Sequence, residues 1–355
     1  MTHATFAVLD GERNLPTVPG RRNRDWSVWD FQGPRGGKFY TMFPYFHLSG
    51  FLSTVCNPII TEASSPVLGP PLIPPSGSLL KEVIKHHDLR ALYLPPSVAE
   101  QLLAEPNGID FFKNLDIFLY TGAPFSPEAG EKLSKVTHLC PLYGSTEAFQ
   151  VPQLQPEPED WAWMEWNPCF KLEMQPSSDE EGIFELVLFA DPTTETMSAL
   201  NHNLPGVSVH RTKDLFKQHP RKSGLWKYHG RRDDVIVLST GDKFNPVPLE
   251  LKIQAHSNLS GALIVGQGRP RSALLVEIKP DISSDERNRL KDNIWPLVKE
   301  ANQLLSGQGR ISHGSIVLSS PQMPFIRAGK GSIVRKLTEK LYQKEIEAFY
   351  MSQSK

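Results

Sequence analysis

The sequence predicts an α/β fold, in which a parallel sheet covered by helices and a small β-barrel region are followed by a small α+β domain. Strand and helix signals alternate between Ser76 and Gly144, which is typical of parallel strands joined by helices. After Glu181 the apolar residues alternate with a period of two, which favours antiparallel strands. The length of 355 residues fits two domains of about 150 residues or more, and we expect them at 1–230 and 231–355.

The alternating region consists of short elements with recognisable ends. Apolar residues at helical spacing predict one helix after Ser76 and another over 97–105. Ser126 followed by Pro127 is the pattern of an N-cap and a first helical residue, so a third helix is predicted to begin there and to end near residue 136. Compact apolar runs predict strands at 91–94, 115–120 and 137–142.

The C-terminal part also contains both strand and helix patterns. The charged cluster at 231–234 lies between two apolar runs and marks the expected domain boundary. Beyond it, strands are predicted at 235–238, 262–265 and 273–278, and amphipathic helices at 285–305 and 334–350.

Composition excludes several classes of protein. Lysine and arginine total 38 against 39 aspartates and glutamates, a balance that argues against a nucleic-acid partner. The three cysteines have neither disulfide-framework nor metal-ligand spacing, which favours a reducing compartment. The sequence contains no apolar run of about 18 residues and no signal-peptide pattern, so we expect a cytoplasmic protein without a membrane partner.

The first segment with chemical potential is Leu142-Tyr143-Gly144-Ser145-Thr146-Glu147, which follows a predicted parallel strand. Ligands of open parallel sheets bind beyond the carboxyl ends of the strands. A glycine there permits close approach of the backbone, hydroxyl groups can bond phosphate oxygens, and a carboxylate can hold Mg²⁺. The alternative interpretation is an ordinary Gly-Ser turn with a solvated glutamate.

Two further segments carry charge in suggestive positions. Asp214 precedes an apolar pair and could accept both hydroxyl groups of a ribose, with Arg231 nearby in support; the alternative is a surface ion pair. Lys330 lies between glycines and could reach into a cleft; the alternative is a solvated loop charge.

Taken together and in order, these segments resemble the adenylate-forming (AMP-binding) superfamily, and most closely the adenylation domains of fungal nonribosomal-peptide-synthetase-like enzymes. The resemblance runs from about residue 3 to residue 350. It rests on residues 43–50, 120–124, 143–147, 214–216, 230–234, 241–246 and 330–335.

The resemblance implies attack of a carboxylate on the α-phosphate of ATP, with Mg²⁺, to give an acyl-adenylate and pyrophosphate. It implies that His47 lies near the acid and the phosphates, that Thr146 contacts the α-phosphate and that Glu147 coordinates Mg²⁺. Asp214 and Arg231 would hold the ribose, and Asp233 would be the hinge of a mobile C-terminal domain carrying the catalytic Lys330. The implied adenine and phosphate contacts are Gly122, Ala123, Pro124, Pro141, Leu142, Tyr143, Gly144 and Ser145.

The sequence also departs from the family pattern. The family has a Ser/Thr/Gly-rich loop ending in Pro-Lys upstream of the Phe-His element, and this sequence has no such segment. Residues 33–38 do not replace it, because Phe39 stands where a phosphate-binding loop needs Ser or Thr. Lys213 stands where many relatives have glycine. We therefore expect an adenylation domain that lacks its N-terminal part, through a truncated gene model, decay of a paralogue, or completion by another chain.

Two functions follow from these expectations. The first is ATP-dependent activation of a small organic acid, aromatic acids among the candidates, in fungal secondary metabolism. Its acceptor would be the thiol of a carrier protein or of another chain in trans, and without the phosphate-binding loop the chain alone could be inactive. The alternative is a catalytically dead nucleotide-binding or scaffold remnant of a larger enzyme.

Overall fold

A computed structural model describes residues 2–11, 15–24, 37–56, 58–59, 64–70, 73, 75–177, 181–305, 307–328 and 331–352. The chain divides into two compact units. The first comprises residues 1–212 and 216–228, and the second comprises 213–215 and 229–355. The expected boundary at residue 231 stays a prediction.

The first unit contains a five-stranded parallel sheet. Its strands, in spatial order, are Ser65–Val67, Lys38–Thr41, Ala91–Leu94, Ile117–Tyr120 and His138–Pro141. Every residue of Ala91–Leu94 and of Ile117–Tyr120 is buried, because both faces of the sheet are covered. Leu92 and Phe118 contribute to the apolar core on one face, while Ala91 and Leu119 contribute to the core on the other. The predicted parallel sheet is confirmed.

Helices cover this sheet, and the cap that the sequence predicted at Ser126 is present together with one at Ser76. The hydroxyl of Ser76 accepts a hydrogen bond from the Leu79 amide, and that of Ser126 accepts one from the Ala129 amide. The helices that follow the strands are Gly77–His86, Pro96–Leu103 and Pro127–Leu133. The unit also contains the helices His3–Gly11, Leu48–Phe51 and Leu200–Asn203, which the sequence patterns did not predict.

The second sheet of the first unit has seven strands and the predicted antiparallel character. Its core is aromatic: the rings of Tyr143 and Trp166 both pack edge-on against Phe216, at centroid distances of 5.4 and 5.5 Å. The strands, in spatial order, are Asn23–Arg24, Gln153–Leu154, Met164–Trp166, Leu225–Arg231, Val209–Gln218, Ile183–Phe189 and Leu172–Pro176. A separate short hairpin pairs Gly144–Ser145 with Phe149–Gln150.

The second unit is the predicted α+β region. The strand Ala273–Ile278 lies between Leu259–Val265, to which it is antiparallel, and Ile316–Leu318, to which it is parallel. Side chains of the helices Val247–Gln254 and Ser284–Ala301 join those of the sheet in one apolar core. A separate two-stranded antiparallel sheet pairs Ile236–Val237 with Lys243–Phe244.

The prediction of one continuous helix over 334–350 was wrong. The structure has two helices, Arg335–Leu341 and Gln343–Ser352, separated at Tyr342. Tyr342 is completely buried and its hydroxyl donates a hydrogen bond to the Met323 carbonyl. The chain turns at this residue because the ring is held by a contact 19 positions away, which helical spacing does not reveal. Within the described ranges, each helix is too short or too polar to cross a bilayer.

We expect Phe118→Ala to destabilise the first unit strongly. The ring is completely buried, lies parallel to Phe112 at 6.1 Å, and meets Phe125 edge-on at 5.6 Å. Truncation of such a ring should lower the free energy of unfolding by about 3–5 kcal/mol. Urea unfolding followed by tryptophan fluorescence measures this change. Phe46, which is 88% exposed, supplies the matched control, since Phe46→Ala should change stability by less than about 0.5 kcal/mol.

Candidate functional site

Parallel pairing brings several of the predicted site segments to one edge of the five-stranded sheet. Thr41 pairs with Tyr93, Leu94 with Tyr120, and Tyr120 with Pro141. Thr41, Leu94, Tyr120 and Pro141 end four neighbouring strands, and carboxyl ends of parallel strands share one edge. The segments that leave this edge carry the predicted residues His47, Gly122 to Pro124, and Leu142 to Glu147.

The segment after the last strand is held in a narrow turn. The Leu142 amide donates to the Tyr120 carbonyl at 2.8 Å, and the Tyr143 carbonyl accepts from the Val151 amide at 3.1 Å. Gly144 packs so tightly against the Phe149 backbone that a Cβ atom would overlap its carbonyl oxygen. Glycine is therefore required for the hairpin, which agrees with the close backbone approach expected from the sequence.

Thr146 and Glu147 lie at the exposed tip of this hairpin. The Ser145 hydroxyl accepts a hydrogen bond from the Ala148 amide at 3.1 Å. The Asn203 side-chain amide donates to the carbonyl oxygens of both Thr146 and Glu147, at 3.1 Å each. The backbone of the tip is therefore fixed while both side chains face solvent. Asn203 lies 56 residues from Glu147, and no sequence pattern indicated it.

Tyr143 is buried more deeply than a residue whose ring is open for stacking. Tyr143 is only 8% exposed, and its ring packs edge-on against that of Trp166 in the aromatic core, with 5.6 Å between the ring centroids. The neighbouring turn is more open, since Gly122 and Ala123 are exposed and Pro124 is half-buried. Gly122 has φ +90°, a conformation that glycine adopts readily. Stacking of adenine on Tyr143 stays a prediction.

His47 lies at the start of the short helix Leu48–Phe51. Its Nδ1 accepts a hydrogen bond from the Ser49 amide at 3.2 Å, and its ring stacks on Phe43 at 6.3 Å. Since Nδ1 is the acceptor, the neutral ring carries its proton on Nε2.

Tyr93 is a candidate residue that the sequence patterns missed. Its ring lies 4.8 Å from that of Phe43. Burial raises the pKa of its phenol to about 12, although a hydrogen bond with Ser49 acts in the opposite direction. The phenol is therefore neutral at physiological pH. Its position near the carboxyl end of a predicted strand was the available signal.

The predicted ribose-binding residues form a cluster in the second unit. Asp214 is buried, and one of its carboxylate oxygens lies 3.2 Å from Nη1 of Arg231. Asp233 lies 3.7 Å from Nη2 of the same arginine and 3.4 Å from the ammonium group of Lys213. Because Tyr143, Thr146 and Glu147 belong to the first unit, joint action of the two groups on one nucleotide stays a prediction.

Two backbone features shape this cluster. Lys213 has φ +62°, in the left-handed region that favours glycine, the residue that the family resemblance implies at this position. Gly230 has φ +148°, and a Cβ there would lie 2.5 Å from the side-chain nitrogen of Asn245. The Asn245 side chain donates a hydrogen bond to the His229 carbonyl and accepts one from the Val247 amide. It therefore links the segment that contains Gly230 to its own segment.

Some predicted positions lie outside the described residues. They are Gly329, Lys330 and residues 33–36. Metal ligation also receives little support from the protein side alone: in the part of the chain that is described, no three or more His, Cys, Asp or Glu side chains converge on a possible metal position. Coordination of Mg²⁺ by Glu147 stays a prediction.

Comparison with known proteins now decides the family. The sequence profile of the AMP-binding enzyme family matches residues 22–163, and that of the AMP-binding enzyme C-terminal domain matches residues 233–354. The chain belongs to the AMP-binding enzyme family. The resemblance stated from the sequence motifs is thus confirmed.

Curated fungal members of the family are similar over most of this chain. The adenylate-forming reductase Nps11 of Serpula lacrymans is 32% identical over 327 residues, which are 87% of this chain and 29% of that protein. The carboxylic acid reductase of Neurospora crassa is 31% identical over 352 residues, which are 97% of this chain and 33% of that protein. The chain spans about a third of the length of these relatives.

Solved structures of the family share the fold at low identity. An anthranilate CoA ligase, AuaEII, in complex with anthranoyl-AMP has a TM-score of 0.67 and 14% identity, over all of this chain and 64% of that one. The adenylation domain of a carboxylate reductase from Mycobacterium chelonae has a TM-score of 0.68 and 15% identity, over 92% of this chain and 56% of that one. These likenesses confirm the predicted fold class.

The conformation of Lys213 leads to a stability prediction. Lys213→Gly should raise the free energy of unfolding by about 0.5–1 kcal/mol, because relief of the left-handed conformation outweighs a solvent-exposed ion pair. Lys217→Gly, at an exposed position of the same strand where φ is negative, should lower it by about 0.5–1 kcal/mol. Urea unfolding measures both changes. Equal destabilisation by the two variants would contradict the assignment of strain to Lys213.

Proposed function

We propose that this chain activates a small carboxylic acid with ATP, forming an acyl-adenylate and pyrophosphate. The observation that carries the proposal is the common edge of four parallel strands, from which the segments with His47, Gly122 and Thr146 emerge. Membership of the AMP-binding family, with adenylate-forming reductases among its fungal relatives, supports the same reaction.

In this proposal the strand-end segments of the first unit and the cluster of Asp214 and Arg231 in the second unit both bind the nucleotide. Residues 122–124 and 141–143 would contact adenine, and Gly144 and Ser145 would lie beside the phosphates. The Asp214 carboxylate would accept hydrogen bonds from the two ribose hydroxyls. Arg231, 3.2 Å from that carboxylate, would orient it for this role.

The acid would lie near His47, between the nucleotide phosphates and the rings of Phe43 and Tyr93. Phe43 and Tyr93 are themselves buried, so their rings would lie beneath the acid and would not form open walls around it. An aromatic carboxylic acid is our first candidate substrate, since the solved structures similar to this chain include an anthranilate CoA ligase with anthranoyl-AMP. The phenol of Tyr93 is neutral, so it adds no negative charge that would repel the carboxylate.

In the proposed reaction an oxygen of the acid forms a bond to the α-phosphorus, and the bond from that phosphorus to pyrophosphate breaks. Negative charge on the α-phosphate oxygens would be met by the Thr146 hydroxyl and by the ammonium group of Lys330. Glu147 would hold Mg²⁺, which when bound neutralises phosphate charge. We further propose rotation about Asp233 between two reaction poses, and a carrier thiol or another chain in trans as acceptor.

The second candidate is a nucleotide-binding remnant without turnover. It is the alternative that the sequence motifs left open. For the active alternative we propose a place in fungal secondary metabolism and a cytoplasmic location.

Removal of the Lys330 ammonium group tests the enzymatic proposal. Lys330→Ala should lower acid-dependent ATP–pyrophosphate exchange by about 10²–10³, because one preorganised charge partner of the transition state is lost. Lys340→Ala, at an exposed lysine of the helix Arg335–Leu341, should leave the exchange rate unchanged. Full exchange activity in Lys330→Ala would refute the mechanism, whereas AMP binding without exchange in the unsubstituted chain would favour the remnant.

The ribose contact is tested separately by nucleotide binding. Asp214→Asn should weaken AMP binding by about 10-fold to 150-fold, because charge-assisted hydrogen bonds are worth about 1.5–3 kcal/mol. Isothermal titration calorimetry gives the dissociation constants. Asp281→Asn, at an exposed carboxylate of the second unit, should bind AMP as the unsubstituted chain does. Equal affinities of the two variants would remove Asp214 from the binding site.

A further inference from the structure

Two buried carboxylates in the second unit hold the two sides of one short segment. We call the described residues 325–328 and 331–334 the turn segment; residues 329 and 330 lie outside the described ranges. Glu277 is bound by Arg327 on the near side of the segment, and Glu250 is bound by Arg335 immediately after it. Both glutamates are less than 10% exposed, so each is held by partners rather than by water.

Glu277 fixes the start of the turn segment. Its carboxylate accepts hydrogen bonds from the Phe325 amide at 2.7 Å, from the Ser260 hydroxyl at 2.9 Å, and from both terminal nitrogens of Arg327. Arg327 also donates to the Ser260 carbonyl at 2.8 Å. Burial raises the pKa of Glu277, but the bonds from Arg327 outweigh burial and lower it overall, so the pair is ionised.

Glu250 fixes the end of the turn segment. Nη2 of Arg335 lies 2.9 and 2.7 Å from the two carboxylate oxygens, and Nη1 donates to the Ile264 carbonyl at 2.9 Å. The Ile264 amide donates to the same carboxylate at 2.6 Å. Nε of Arg335 lies 3.4 Å from a carboxylate oxygen of Asp234, which follows the proposed hinge residue Asp233.

Backbone hydrogen bonds join the two sides between these ion pairs. The Val334 amide donates to the Ile326 carbonyl, and the Ala328 amide donates to the Ser332 carbonyl, at 2.8 and 2.9 Å. Arg327 and Ile333 form an antiparallel bridge. The Gly331 amide donates to the Ala328 carbonyl at 2.8 Å. The described residues on both sides of position 330 are therefore tied to each other and to the sheet beneath them.

Stability alone is a poor reason for this arrangement. Buried ion pairs are often no more stabilising than apolar residues of similar volume, since desolvation of the charges offsets their attraction. A bidentate arginine–carboxylate pair does fix direction and distance closely. Arg327 forms such a pair with Glu277, whereas Nη2 of Arg335 alone bonds both oxygens of Glu250 and Nη1 bonds the Ile264 carbonyl. These two pairs at the sides of one short segment therefore define its position more than they strengthen the fold.

We propose that Arg327 and Arg335, paired with Glu277 and Glu250, are positioning residues that act through Lys330 in adenylate formation. This inference rests on the proposed function. Arg335 also links the turn segment to Asp234, so rotation at the hinge would carry the segment along with the second unit.

A double-variant cycle tests whether Arg335 acts through Lys330. Arg335→Gln should lower kcat of ATP–pyrophosphate exchange by about tenfold or more, while KM for ATP changes by less than about threefold. In the Lys330→Ala background the same substitution should cause no further loss, because the group it positions is absent. Arg269→Gln, which breaks a half-exposed ion pair with Glu347 in the same unit, should leave kcat unchanged. Equal losses from Arg335→Gln in both backgrounds would overturn the inference.

Amide hydrogen exchange tests the same inference without depending on turnover. A conservative substitution is sufficient for this measurement. Arg327→Lys cannot form the bidentate pair and should speed exchange at Ala328, Gly331 and Val334 by about tenfold or more, with Leu274 to Val276 unchanged. Unchanged exchange in the turn segment would overturn the positioning role. Absence of pyrophosphate exchange in the unsubstituted chain would instead refute the proposed function, so the two failures are distinguishable.

Discussion

Parallel pairing of the strands Lys38–Thr41, Ala91–Leu94, Ile117–Tyr120 and His138–Pro141 is the constraint on which the rest of the first unit depends. Parallel strands must be joined by crossover segments, and both faces of the sheet are covered, so the strands are short, and Ala91–Leu94 and Ile117–Tyr120 are buried at every residue. The polar groups of the candidate site lie in the segments that leave the strand ends. Strand pairing therefore places His47, Thr146 and Glu147 beyond the same edge, and this placement does not require a direct interaction between their segments.

Backbone conformation is the second determinant of the candidate site. Gly144 is needed because the neighbouring strand of its hairpin leaves no room for a side chain, and Gly122 is suited to its positive φ. Lys213 adopts a comparable conformation without being glycine, immediately before the buried Asp214. Such strain persists only where the surrounding structure imposes it, and it clusters at functional sites. Its position next to Asp214 is consistent with a binding role for that carboxylate.

Exposed and buried ion pairs contribute differently to the structure. Several ion pairs of the first unit are solvent-exposed and join residues three or four positions apart, as in Lys132 with Glu128, and such pairs contribute little to stability. The same unit also has buried carboxylates in ion pairs, as in Glu185 with Arg211. In the second unit Glu250 and Glu277 are buried, and each is satisfied by an arginine and by backbone amides. Fully satisfied buried networks select one geometry among several compact alternatives. A unit proposed to present a lysine to a reacting phosphate benefits from that selectivity.

The sequence by itself determined most of the local elements and the family. Apolar periodicity, the cap at Ser126, and the ordered motifs involve residues within a few positions of one another or segments in a fixed order, so they are readable without coordinates. Tertiary structure alone decided the helix break at Tyr342, the left-handed backbone at Lys213, and the burial of Tyr143 and Tyr93. It also decided the pairing of Arg335 with Glu250, 85 residues apart, and of Arg327 with Glu277, 50 residues apart. These features arise from contacts between distant segments, whose partners local patterns do not specify.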